Sequence, residues 1–108
     1  MEDDQTIQIV RYARGTLSQG ELQAEISAFL EASKNDGKLQ EQVEAIGVPP
    51  DDIARQTESL EISQSQGITD QEIQIIIQGV SVAIKLWTDV ILPWIRRRKG
   101  GNAVGQQQ

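Results

Sequence analysis

The chain contains neither cysteine nor histidine. The first absence excludes disulfides and thiolate metal sites and leaves the redox compartment unread. The second removes the commonest general base and the commonest transition-metal ligand. No glycine-rich phosphate loop or nucleophile elbow occurs. The carboxylate pairs Asp3/Asp4 and Asp51/Asp52 are adjacent in sequence. On a helix they diverge, which suits capping better than acid–base chemistry. "NDG" at Asn35–Gly37 lacks the alternating ligands and closing glutamate of a calcium loop. No catalytic, cofactor or metal site is therefore expected, and the chain does not read as an enzyme.

What is present is charge, unevenly placed. Residues 1–72 hold fifteen of the sixteen acids against five cations, whereas residues 73–108 hold five cations against Asp89 alone. The formal net charge is −6. A basic end on an acidic chain hints at a charged surface as its partner. The opening "MEDDQTIQ" is acidic and polar, which argues against a cleaved secretion signal. A length of 108 residues suits one small domain with a modest core.

Helix punctuation recurs along the chain. "DDQTIQIVRYARG" has acids at its start and Gly15 at its end. It reads as a short helix, although Ile7 and Ile9 also alternate as in a strand. Ser18 with Glu21 makes a capping box, and Leu17 with Leu22 a hydrophobic staple. Leu22, Ile26, Phe29 and Leu30 follow at helical spacing, and Asn35–Gly37 supplies a stop. Leu39, Val43 and Ile46 share the next helical face, which ends at Gly47. The segment 39–61, "LQEQVEAIGVPPDDIARQTESLE", has a helix-turn-helix outline. Its second helix would carry Asp51, Asp52, Glu58 and Glu61 against Arg55. Such a helix repels phosphate, so nucleic acid is not an expected partner. "SQSQG" at 63–67 reads as a polar linker, and a second capping box at Thr69/Glu72 predicts a last helix running to about Arg98.

That last segment poses the functional question. Its polar residues, Gln74, Gln78, Ser81, Lys85 and Thr88/Asp89, form one narrow stripe at helical spacing. Apolar residues fill the rest of the circumference, more than a surface helix requires. Three readings compete: the centre of a small bundle, a membrane element, or a helix that fills a partner's groove. Residues 75–95 match a bilayer in length. Lys85 and Asp89 each cost roughly 2.5–3.5 kcal/mol at a helix centre, which makes a lone span marginal and an interfacial position cheaper. Two tryptophans seven residues apart, Trp87 and Trp94, suit a partner groove or self-assembly.

The expected fold is all-α, a bundle of four or five helices. It divides into an acidic amphipathic region (1–62), a linker (63–67), an apolar helix with a basic end (68–99) and a flexible tail (100–108). The expected function is non-enzymatic association, with a membrane surface, a protein partner or another copy, through that last helix. The alternative is a helical adaptor whose 39–61 segment does not read DNA. The candidate interaction residues are Gly79 and Ala83 for close helix contact, Trp87, Ile91 and Trp94 as apolar anchors, and Arg96, Arg97, Arg98 and Lys99 as an electrostatic aid. No small-molecule substrate is expected. The expected location is the cytoplasm, with association with a membrane through the C-terminal helix as the alternative.

Overall fold

The computed structural model describes residues 6–66 and 73–107. The chain runs through β1 (Ile7–Ala13), α1 (Gln19–Ser33), α2 (Gly37–Ala45), a 3-10 turn (Pro50–Asp52) leading into α3 (Ile53–Glu58), β2 (Glu61–Gln66) and β3 (Ile73–Val80). It ends in α4 (Ser81–Leu86), a π-helical turn (Trp87–Ile91) and α5 (Leu92–Lys99). The strands form one antiparallel sheet in the order β1-β3-β2. The fold is therefore mixed α/β, and the expected all-α helical bundle is overturned.

The main correction falls on Ile73–Val80, expected to be helix and found as the central strand. Ile75 and Ile77 are buried against the helical side, while Ile76 and Val80 on the other face are half-buried. Its outer face mixes Gln74 and Gln78 with Ile76 and Val80, so apolar residues fall on both faces and the period does not separate this strand from a helix with a narrow polar stripe. Its β-branched content does: five of the eight residues in "IQIIIQGV" are Ile or Val. The Thr69/Glu72 capping box lies outside the described residues.

Two further corrections follow from the same sheet. "TIQIVRYA" forms β1, with Tyr12 inward and Ile7 and Ile9 outward, so strand alternation overrode the acidic helix start. Ser63–Gln66, expected to be linker, belongs to β2. This strand has one buried apolar side chain, Ile62, and neighbouring Ser and Gln. It exists because β3 offers a ladder, not because of its own pattern.

The first helices follow their local signals. Ser18 and Glu21 form a complete capping box, with the Glu21 N–H donating to Ser18 Oγ at 3.2 Å and the Ser18 N–H to Glu21 Oε1 at 2.8 Å. Leu17 and Leu22 are both buried beside it. Helix α2 ends as its sequence predicts: Gly47 takes φ +91°, its N–H donates to Glu44 O, and the Val48 N–H reaches back to Val43 O.

The capping box also makes a pH prediction. The Glu21 carboxyl is held below its usual range, first by the Ser18 backbone N–H and then by the Ser18 hydroxyl. A folded-state value below the unfolded one stabilises the fold above the ordinary glutamate range, and this contribution is lost as pH falls through the folded value. Glu21→Gln keeps an acceptor but cannot titrate. Thermal melts between about pH 6 and about pH 3 should therefore show a shallower acid loss for Glu21→Gln than for the parent. Ser18→Ala should cost about 0.5–2 kcal/mol near neutral pH.

The tail, expected to be flexible, is held. Ala103 and Val104 are buried. The Ala13 N–H donates to Gln106 O at 2.9 Å, and Ala13 O accepts from the Gly105 N–H at 3.0 Å. The Thr16 and Leu17 N–H groups donate to Asn102 O and Ala103 O. Glycines permit this approach: a Cβ on Gly15 would lie 2.3 Å from Asn102 O, and one on Gly105 would lie 2.3 Å from Ala13 O. Arg96 closes the clasp, its Nη2 donating to Val104 O and Gly105 O, each at 3.3 Å.

Candidate functional site

The C-terminal helix, α4 through α5, carries the apolar excess seen in the sequence, and the fold covers it. Ala83, Ile84, Leu86, Trp87, Val90, Ile91, Leu92 and Ile95 are buried. Trp87 is 0 % exposed; its ring meets Tyr12 edge-on at 6.2 Å, and its Nε1–H donates to the Tyr12 hydroxyl at 3.0 Å. In this conformation Trp87 and Ile91 contact the chain's own sheet and helices and offer no surface to a partner. Gly79 and Ala83 do come close, but within one chain. A Cβ at Gly79 would sit 3.4 Å from that of Ala83, where β3 turns into α4. Lys85, Thr88 and Asp89 are exposed, and among the described residues neither Lys85 nor Asp89 is in an ion pair. The π turn, in which the Leu92 N–H donates to Trp87 O, lies just before Pro93, which has no N–H to give to the helix. Among the described residues, no helix is long and apolar enough to cross a membrane.

Three residues of the basic cluster are tied to the chain itself, although Arg98 and Lys99 stay exposed. Arg98 Nε donates to Glu25 Oε1 at 3.1 Å, and Lys99 Nζ lies 3.8 Å from Glu25 Oε2. The Arg98 guanidinium also stacks over the Trp94 ring, 4.7 Å from its centroid. Trp94 in turn packs edge-on against Phe29 at 5.5 Å. Glu25 is 8 % exposed, a carboxylate that burial would disfavour without these two cations. Arg96 holds the tail, and Arg97 alone of the four is exposed with no ion pair among the described residues. The cluster thus fastens α5 to α1 and to the tail, which reduces the charge free to meet an anionic surface.

The surface left open lies elsewhere. Among the described residues, the exposed large hydrophobic side chains are Ile7 at 54 % and Ile9 at 49 %. Both sit on the sheet face turned away from Tyr12, Ile75 and Ile77. The register sets Ile7 beside Val80 and Arg11 beside Ile76 on that same face, with Gln78 next to Ile9. The two outer strands differ in how their edges are finished. On β2 the Ile62 carbonyl accepts from Gln19 Nε2 at 2.7 Å. On β1 the tail takes the Ala13 groups, and Gln107 bridges to Tyr12. Ile7 and Ile9 were not among the residues that the sequence pointed to. The signal that could have found them is the alternation of "TIQIVRY", set aside there in favour of a helix.

No family model, curated protein or solved structure matches the chain.

Proposed function

We propose that the chain is a non-catalytic association module that meets a protein partner through the β1 side of its sheet. This keeps the association expected from the sequence and moves it from the C-terminal helix to the strand. The observation that carries it is the coincidence of the exposed Ile7 and Ile9 on one outer strand. Paired exposed isoleucines on an edge are a liability that a chain with no use for them would replace with charge. Association with a lipid surface through the C-terminal helix would first require Trp87 and Ile91 to leave the core. That is a large cost for a small domain. The cytoplasmic location expected from the sequence goes with this reading.

Site-specific photo-crosslinking in cells that express the chain tests it. A photoreactive side chain at position 9 should yield discrete crosslinked protein products, and one at exposed Thr88 should not. Products from position 88 or 97 with none from position 9 would return the binding element to the C-terminal helix.

A further inference from the structure

We infer that residues 102–107 are a displaceable strap, and that the site they leave at the far end of β1 accepts a peptide segment of a protein partner in their place. The inference rests on the proposed use of β1 for association and adds how that strand is opened. The strap closes part of the edge. The Ala13 N–H and carbonyl bond to Gln106 and Gly105, and the Tyr12–Gln107 bridge takes up the Arg11 carbonyl. Past the strand, the Thr16 and Leu17 N–H groups donate to Asn102 O and Ala103 O at 2.9 and 3.2 Å. All of these are main-chain bonds, which a segment of another protein can supply equally well.

The strap's hold on the core is slight. Its buried side chains are Ala103 and Val104, both small, whereas Asn102, Gln106 and Gln107 are exposed. Little apolar area therefore opposes release. A hinge joins it to α5: Gly100 takes φ +102°, and Gly100 and Gly101 are both exposed with open space where a Cβ would stand. Docking also leaves a polar group unmet. Arg96 Nη2 donates to Val104 O and Gly105 O, but Arg96 Nε is buried and has no hydrogen-bond partner among the described residues. The strap carbonyls lie against that same guanidinium, so undocking lets water reach it and offsets part of the bonds lost. Few buried apolar contacts beside many backbone bonds mark a segment that opens locally.

The strap itself shows what the site takes. A Cβ on Gly105 would run into the Ala13 carbonyl, so glycine is required where the segment crosses β1. On the other side of the contact, a Cβ on Gly15 would run into Asn102 O. Ala103 and Val104 fill the buried positions just before Gly105. The replacing segment therefore carries two small apolar residues followed by glycine, and runs antiparallel to β1 at Tyr12 as Gln107 does. It binds the open form, so the strap lowers its apparent affinity by the fraction of chains that are open.

Amide hydrogen exchange on the full chain tests the strap. The Thr16 and Leu17 N–H groups should exchange about tenfold or more faster than that of Ile77 in the central strand. Low urea should change their rates little, because a local opening exposes little surface. Gly105→Ala should free the same amides while circular dichroism shows the fold retained. Arg96→Gln removes both bonds to the strap without adding a clash, and should act in the same direction by a smaller factor. Free peptide GGNAVGQQQ, at about the millimolar level that a short tether itself supplies, should restore their protection in Gly105→Ala. The same peptide with alanine at its sixth position should not. The peptide should bind Gly105→Ala more tightly than the unmodified chain by the factor by which the latter protects Thr16 and Leu17. Thr16 and Leu17 amides that exchange with Ile77, at one rate and one urea slope, overturn the strap. Protection that the peptide does not restore overturns the site. If either occurs while position 9 crosslinks a partner in cells, association through β1 survives without this control. If the peptide binds as expected and position 9 crosslinks nothing, the strap stands and the use of Ile7 and Ile9 is wrong.

Discussion

Trp87→Ala is expected to remove about 3–5 kcal/mol of stability, as truncation of a buried aromatic usually does. Against the roughly 5–15 kcal/mol that holds a small domain together, this leaves a marginal fold. The size follows from position. Trp87 is fully buried on the C-terminal helix and touches Tyr12 of β1, so it joins the helical layer to the sheet. Removing it leaves a cavity and takes the indole donor from the buried Tyr12 hydroxyl. Tyr12→Phe isolates the polar part of the effect. It keeps the ring and leaves the indole N–H without its acceptor, at a cost of about 1–3 kcal/mol. Urea denaturation followed by far-ultraviolet circular dichroism measures both. A loss below about 0.5 kcal/mol for Trp87→Ala is the size of a surface change and would show the side chain to be free of the core.

Phe29→Ala should be of the same order, about 3–5 kcal/mol. Phe29 is wholly buried on α1 and packs edge-on against Trp94 of α5. The aromatic pair adds about 0.5–1.5 kcal/mol to the area that it buries. Trp94 is half-buried, and the Arg98 guanidinium lies over its ring. Loss of Phe29 therefore loosens the contact that Glu25, Arg98 and Lys99 support beside it. Phe29→Leu keeps much of the volume and should cost clearly less than Phe29→Ala. Equal losses for the two substitutions would mean that the ring geometry, not the filled space, carries the stability. Tryptophan emission in the folded Phe29→Ala variant should move to longer wavelength as Trp94 gains water. Unchanged emission and stability together would detach α1 from α5.

The helical half of the molecule was legible because its signals are local. Ser18 and Glu21 satisfy each other's backbone within one turn, and Gly47 ends α2 through bonds to residues a few positions away. Leu22, Ile26 and Phe29 recur at helical spacing and are all buried. The sheet was not legible for the opposite reason. β3 carries apolar residues on both faces, and its Gln74 and Gln78 lie four apart as on a helix, which hides its period; β2 has so few apolar residues that it looks like linker. β1 shows alternation, but a run of acids before it and a glycine after it imitate helix ends.

The candidate site divides along the same line. The sequence by itself determined that the C-terminal segment is too apolar to stand in water uncovered, because hydrophobic excess is a property of composition. It also determined that histidine and thiol chemistry are absent, because side-chain type needs no fold. Only the tertiary structure decided what covers that segment. Tyr12 lies 75 residues from Trp87, and Glu25 lies 73 from Arg98, and no local pattern encodes such pairings. With the helix buried by its own chain and Arg96, Arg98 and Lys99 bound to the tail and to Glu25, the isoleucines of β1 are the large apolar side chains left exposed among the described residues. An edge is defined by which strand has no neighbour, and strand order is fixed by the packing of the whole chain rather than by any stretch of it.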